Sequence, residues 1–271
     1  SSALLADAGH NASDVLGLVF AWTAAWLSTL KPKGKYTYGL CKSTILVAVL
    51  NALLLFGAIT FIGMDAIAKI KNPEPVGGGK VMVVAGIGFL INSLTMLLFT
   101  KGRHADLNIK GAFLHMAADA GVSLGVVIAG LLIIITGKLW IDPLTSFLII
   151  AVIFWGTWRL FTDSVDLALD AVPKHIKIES VRSFLLTKTE ITDIHDLHIW
   201  AMSTTEVALS VHLVTRASCT DVSIAELRDD LGIKFGIGHS TFQIEHEEAT
   251  VICNTDCQVG QNTKSVKNQL I

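Results

Sequence analysis

The chain has 271 residues, 52% of them hydrophobic and 16% charged, and its mean hydropathy of +0.59 lies well to the apolar side of an ordinary soluble domain. The formal net charge of -2 and pI near 6.5 give no global basic field, so nucleic acid is excluded as an expected partner; the lipid bilayer is expected instead. Charged residues and histidines become frequent only from about Pro173 onward, which divides the chain into an expected transmembrane domain over 1–170, a soluble domain over 171–249 and a flexible polar tail over 250–271.

A spanning helix needs about 20 predominantly apolar residues. Five segments qualify: Ala3–Leu30, Thr44–Ile70, Val81–Thr100, Asn108–Thr136 and Ile141–Val165. Connections with turn chemistry separate them, such as "KPKGKYTYG" at 31–39 and the Pro- and Gly-rich "KNPEPVGGGK" at 71–80. Lys31, Lys33, Lys35 and Lys42 surround the first connection and Lys101, Arg103 and Lys110 the third, whereas the second mixes Lys69, Lys71 and Lys80 with Asp65 and Glu74. The positive-inside rule then puts the first and third connections, and the C-terminal domain with them, in the cytoplasm. Five spans leave Ser1 on the far side, and one more helix before Ser1 is expected to repair this. The soluble part reads as a helix over 174–187, strands over 191–202 and 206–215, a helix over 221–235 and a strand over 240–247. That α-β-β-α-β order is ferredoxin-like. Cys41, Cys219, Cys253 and Cys257 do not form a disulfide framework and suit a reducing compartment.

Two stretches carry the chemistry. "HNASD" runs from His10 to Asp14 and "HMAAD" from His115 to Asp119. A helix stacks residue i under residue i+4, so each pair offers one nitrogen and one oxygen ligand on a single face. Counted from Ala3 and from Asn108 at 1.5 Å per residue, each pair lies roughly 10 to 17 Å in from opposite membrane faces, and in a core about 30 Å thick the two meet near the middle. Aspartates left uncompensated there cost about 2.5–3.5 kcal/mol each, and a divalent cation supplies the compensation. Two imidazoles and two carboxylates at tetrahedral corners suit Zn²⁺, while calcium and magnesium prefer six or more oxygens. The bland alternative, an interhelical hydrogen bond at each motif, accounts less well for the same spacing occurring twice at matching depth. Asp7, a turn above His10, lines the outer mouth or caps a turn. Small residues beside both motifs, among them Gly9, Ala12, Gly17, Ala118, Gly121 and Gly125, allow close approach of the two backbones.

With these motifs in view the chain resembles the cation diffusion facilitator family of zinc transporters. The resemblance runs through "LLADAGHNASDVLGL", "YGL", "NPEPVGG", "DLNIKGAFLHMAADAGVSLGVV", "DPLTSFLI", "IHDLHIW" and "GIGHSTFQIE" in that order. It implies six spans, of which the five here are the second to the sixth, a homodimer, exchange of cytoplasmic zinc for protons, and a cytoplasmic ferredoxin-like domain. It also implies that His10, Asp14, His115 and Asp119 are the transport-site ligands, and that His195, His212, His239 and Glu245 match a regulatory zinc site. Where many relatives read "YGLLRAE" this chain has "YGLCKST", so Lys42 and Thr44 replace an arginine and a glutamate. The connection at 101–110 holds one histidine, His104, and no His-rich loop. His198, three residues from His195, is expected on the opposite strand face, and "CNTDC" at 253–257 offers thiolates from the tail.

Groups that bind zinc also bind protons, so metal affinity must fall as pH falls. Low external pH would eject the metal and the higher cytoplasmic pH would allow reloading, which is the physical basis of antiport. The expected function is therefore zinc export by Zn²⁺/H⁺ antiport through a midplane His2Asp2 site, in a multi-pass protein of the bacterial inner membrane. A membrane receptor that binds zinc without moving it is the alternative. An intramembrane metalloprotease would need H-E-x-x-H, and His246-Glu247 is followed by Thr250 where the second histidine would stand, so an enzyme is not expected.

Overall fold

The structure, a computed structural model, describes residues 17–71, 79–138, 140–216 and 224–246. Helices α1 (Gly17–Ser28), α2 (Ser43–Lys71), α3 (Gly79–Leu98), α4 (Leu107–Thr136) and α5 (Ile141–Ala168) come first, followed by α6 (Ile178–Leu185), β1 (Ile191–Ala201), β2 (Val207–Thr215), α7 (Ile224–Phe235) and β3 (Ile237–His246). Each apolar segment of the sequence overlaps one of the first five helices, and residues 3–16 of the first segment lie outside the described residues. Among the described residues, α2, α4 and α5 contain stretches long and apolar enough to cross a membrane, and the described apolar parts of α1 and α3 are shorter, Gly17–Ser28 and Met82–Leu98. Large apolar side chains point outward, Leu98 at 80%, Phe61 at 74% and Ile135 at 71% exposure, as lipid rather than water requires. The tail over 250–271 lies outside the described residues.

The chain divides into two compact units, Ser1–Pro173 with Trp200–Val207, and Lys174–Ile199 with Ala208–Ile271. In the first, α2 packs on α5 and α4, and α4 packs on α3 and α5. One core cluster joins Ala52 and Leu55 of α2 to Leu160 of α5, with Leu114 of α4 against it. A second joins Ile59, Ala118 and Ile153. Phe56 stacks edge-on and tilted against Phe154, Trp158 and Phe161, with ring centroids 5.7 to 6.3 Å apart. Glycines bring α4 and α5 close: a Cβ on Gly156 would stand 2.9 Å from Leu114 Cδ2, and one on Gly125 2.5 Å from Ile149 Cδ1. With little hydrophobic force between helices in lipid, such contact supplies the packing energy.

Termini are chemically marked. Asp106 caps α4 by accepting from the Asn108 N–H at 2.7 Å, and Gly137, at φ 69°, closes it with its N–H on Ile133 O, the left-handed ending glycine adopts without strain. α5 runs one turn past the expected Val165 because Asp166 and its neighbours continue the helix, which stops at Leu169 before Asp170 at φ 60°. Lys42, which stands in for the family's arginine, pairs with this Asp170 at 2.7 Å. Lys110 of α4 meets Asp163 of α5 at 2.6 Å, the two side chains only 23% and 17% exposed.

In the second unit α6 and α7 bury Val181, Leu185, Leu227 and Leu231, and the strands form one sheet in the order β1-β2-β3. The α-β-β-α-β sequence of elements is the expected one. β3 starts at Ile237 rather than at Ser240, because Gly236 at φ 71° turns the chain directly into a strand whose first residue is fully buried. A hydrogen bond from Lys188 Nζ to Asp230 Oδ2 at 2.7 Å ties the α6–β1 connection to α7 and holds the Asp230 carboxyl below its usual range. Its stabilisation is present above the carboxyl's unfolded value and fades as pH falls through the folded one.

The Lys110–Asp163 pair yields a test. Asp163→Asn leaves a partly buried ammonium without its counter-charge and is expected to destabilise by about 1–3 kcal/mol, seen as a lower thermal midpoint of the detergent-solubilised chain. Lys110→Met combined with Asp163→Leu is expected to recover most of that loss.

Candidate metal centres

Because α4 is capped at Asp106 and continuous to Thr136, its register fixes which residues share a face. His115 and Asp119 do, with Nε2 and Oδ2 3.6 Å apart and side chains 22% and 14% exposed. From Leu107 they lie about 12 and 18 Å along the helix axis at 1.5 Å per residue. Neighbouring positions Gly111, Ala112 and Ala118 are small, and His115 Nε2 is itself buried. One to two turns further along α4, a cavity of about 250 Å³ is lined by Asp65 of α2, Val122 and Gly125 of α4, and Ser146 and Ile149 of α5. His10 and Asp14 lie outside the described residues.

The sheet builds a second cluster from three adjacent strands. His195 of β1, His212 of β2 and Glu245 of β3 each offer a ligand atom within 4.8 Å of the others. Glu245 divides its oxygens between the two rings, Oε1 2.9 Å from His212 Nδ1 and Oε2 3.4 Å from His195 Nε2, and the ring centroids are 5.0 Å apart. His195 Nε2 and His212 Nδ1 are enclosed yet make no hydrogen bond in proper geometry. Nitrogen lone pairs facing carboxylate oxygens need a proton or a cation between them, and two imidazoles with one carboxylate are a donor set that fits zinc. His239, the fourth position implied by the resemblance, stands six residues before Glu245 on β3, roughly 20 Å along an extended strand, and is not part of this group.

Sequence reasoning missed Asp196. In mid-strand it adopts φ 50°, and its carboxylate spans two histidines, Oδ1 2.8 Å from His198 Nε2 and Oδ2 3.4 Å from His212 Nε2. The left-handed residue interrupts the alternation of β1, whose burial is out of phase before and after it. A carboxylate on the far nitrogen of a ligating histidine fixes the tautomer that presents the near one. The His-Asp adjacency in "IHDLHIW" is the one signal of it in the sequence. Cys41 is a free thiol. Burial, with the Glu206 carboxylate beside it, pushes that thiol up, so it stays protonated. Cys219, Cys253 and Cys257 lie outside the described residues.

Comparison with known proteins agrees with this architecture. Residues 1–167 match the family model described as "Cation efflux transmembrane domain", and residues 173–247 that of "Cation efflux protein, cytoplasmic domain". The chain is 33% identical to "Metal cation efflux system protein CzcD" of Cupriavidus metallidurans over 90% of its own length and 78% of the relative's. It is 33% identical to "Zinc transporter ZitB" of Escherichia coli, over 91% and 80%. Against "Cadmium, cobalt and zinc/H(+)-K(+) antiporter" of Bacillus subtilis the identity is 32%, over 91% and 81%. Among solved structures, "Metal-bound C-terminal domain of the CzcD transporter from Cuprividus metallidurans" is similar at 32% identity, covering 26% of this chain and 99% of that one with a TM-score of 0.25. Two domain matches in the right order and relatives aligned along more than three-quarters of their length establish that the chain is a multi-pass membrane protein of the cation efflux, or cation diffusion facilitator, family.

Proposed function

We propose that this chain exports zinc from the cytoplasm in exchange for protons, through one tetrahedral site made by His10 and Asp14 with His115 and Asp119. The observation that carries the reading is the His115–Asp119 pair, held on one face of a capped apolar helix at mid-depth and repeated in spacing at residues 10 and 14. The relatives named as zinc transporter and as zinc/H(+)-K(+) antiporter support the choice of cargo and counter-ion. Residues 1–170 form the membrane domain, 171–249 a cytoplasmic domain and 250–271 a tail. Two copies assemble through the cytoplasmic domain, in keeping with the dimer family model that matches it, in the inner membrane of a bacterium.

The chemistry follows from ligand type. Imidazole and carboxylate bind zinc only when deprotonated, so each proton that arrives lowers metal affinity. Protons from the outer side displace the ion, and the cavity beyond Asp119 lies on the path away from the Leu107 end of α4. α4 is packed on three sides by α2, α3 and α5, so a rigid-body tilt of this bundle is the economical way to change exposure. In the cytoplasmic domain His195, His212 and Glu245 hold a regulatory zinc, with Asp196 orienting His212. Such a metal biases transport only through a difference in affinity between two arrangements of the protein.

The test is zinc uptake into sealed inside-out vesicles with an acidic lumen. The wild-type chain accumulates zinc, and Asp119→Ala falls to the level of empty vesicles. Zinc bound by the purified protein but never moved, whatever the pH gradient, would replace export by sensing. Acidifying the loading side is expected to raise the KM for zinc, since protons compete there for the same lone pairs. For the cytoplasmic site, Asp196→Gly keeps the left-handed backbone that glycine adopts freely and removes only the carboxylate. It is expected to preserve the thermal midpoint while weakening zinc binding by about ten- to hundredfold, read by titration calorimetry on a chain that also carries Asp119→Ala.

A further inference from the structure

Asn51 sits on α2, eight residues in from Ser43, about 12 Å along the axis. Its side-chain oxygen is enclosed and, among the described residues, accepts no hydrogen bond. A Cβ placed on Gly17 of α1 would lie 3.7 Å from this Oδ1. One on Gly111 of α4 would lie 3.7 Å from Asn51 Cβ and 3.9 Å from Nδ2. The carboxamide is therefore wedged between two helices at a glycine on each, and both glycines stand close in sequence to the paired motifs. Gly17 follows Asp14 by three residues, and Gly111 precedes His115 by one turn.

Direction along the bundle is also settled. The Asn108 side-chain N–H donates to the Thr44 carbonyl at 3.0 Å, so the N-terminal ends of α2 and α4 are together and the helices rise in the same sense. Gly111 lies one turn before His115 on the side of the lysine-rich connections at 31–42 and 101–110, and Asn51 is placed there by its packing on Gly111. An enclosed amide oxygen without a donor is a net cost that most folds remove. An amide oxygen is also a group that a divalent cation accepts in place of hydration water.

We propose that the Asn51 side-chain oxygen is a transient ligand for the divalent cation on its loading side, one step before the His-Asp site. This rests on the transport site proposed above. The role is to lower the barrier to dehydration, so it governs how readily the ion loads rather than how fast the loaded carrier turns.

Replacing Asn51 separates ligand from interhelical glue because the two roles rank substitutions in opposite order. As a ligand, Asn51→Asp keeps an oxygen and Asn51→Leu removes it. As packing, leucine fills an apolar interface harmlessly while aspartate buries an uncompensated charge. Zinc uptake into inside-out vesicles is measured as KM and Vmax, with the thermal midpoint of each variant. Asn51→Leu is expected to raise KM about tenfold with Vmax little changed, the pattern of lost binding, while Asn51→Asp stays near wild type. Asn51→Ala carries the same expectation as leucine should the latter fold poorly. An unchanged KM in both the leucine and alanine variants, or a KM raised in aspartate alone, overturns the role. Asp119→Ala run in parallel keeps the failures apart: loss of flux there with normal Asn51 variants removes only this inference, whereas undiminished flux in Asp119→Ala removes the transport site and this role with it.

Discussion

An ionisable side chain held away from water must find a counter-charge, and in this chain that requirement falls on His115 and Asp119 of α4. A carboxylate at the centre of a bilayer costs about 2.5–3.5 kcal/mol on the insertion scale. The 3.6 Å separation of the two groups is too long for a strong bond and short enough to share one cation. Imidazole and carboxylate take up protons and divalent metals through the same lone pairs, so the two compete wherever both are present.

The rest of the membrane unit keeps those two side chains in register. α4 is capped at both ends by its own chemistry, Asp106 and Gly137, so its face does not slip. Glycines and alanines along it let α2 and α5 come near, while the Phe56–Phe154–Trp158–Phe161 group packs between those two helices. The Lys110–Asp163 pair joins α4 to α5 two residues beyond Phe161, the last member of the aromatic group, and five residues before His115 in sequence. A bundle so connected moves as a body more readily than it deforms, which is the property alternating access needs.

The cytoplasmic cluster reaches a similar donor set by another route. On a helix, period 3.6 brings His and Asp together within five residues of sequence. In the sheet His195, His212 and Glu245 come from three strands and meet only because β2 lies between β1 and β3. Asp196 adds a constraint of its own, since a non-glycine residue at φ 50° is tolerated where its carboxylate gains two imidazole partners.

The sequence by itself determined the five apolar segments, the boundaries of the second to fifth to within a turn or two, the α-β-β-α-β order that follows and the shared face of His115 and Asp119, because helical and strand periods are local properties of the chain. It also pointed, through resemblance, to His195, His212 and Glu245. Tertiary structure decided that His239 stands apart from them, that Asp196 turns left-handed to hold His212, that Lys42 finds Asp170, and that the Asn51 oxygen is sealed between α1 and α4. Each of these depends on which strands and helices become neighbours, and no period within a single segment records that.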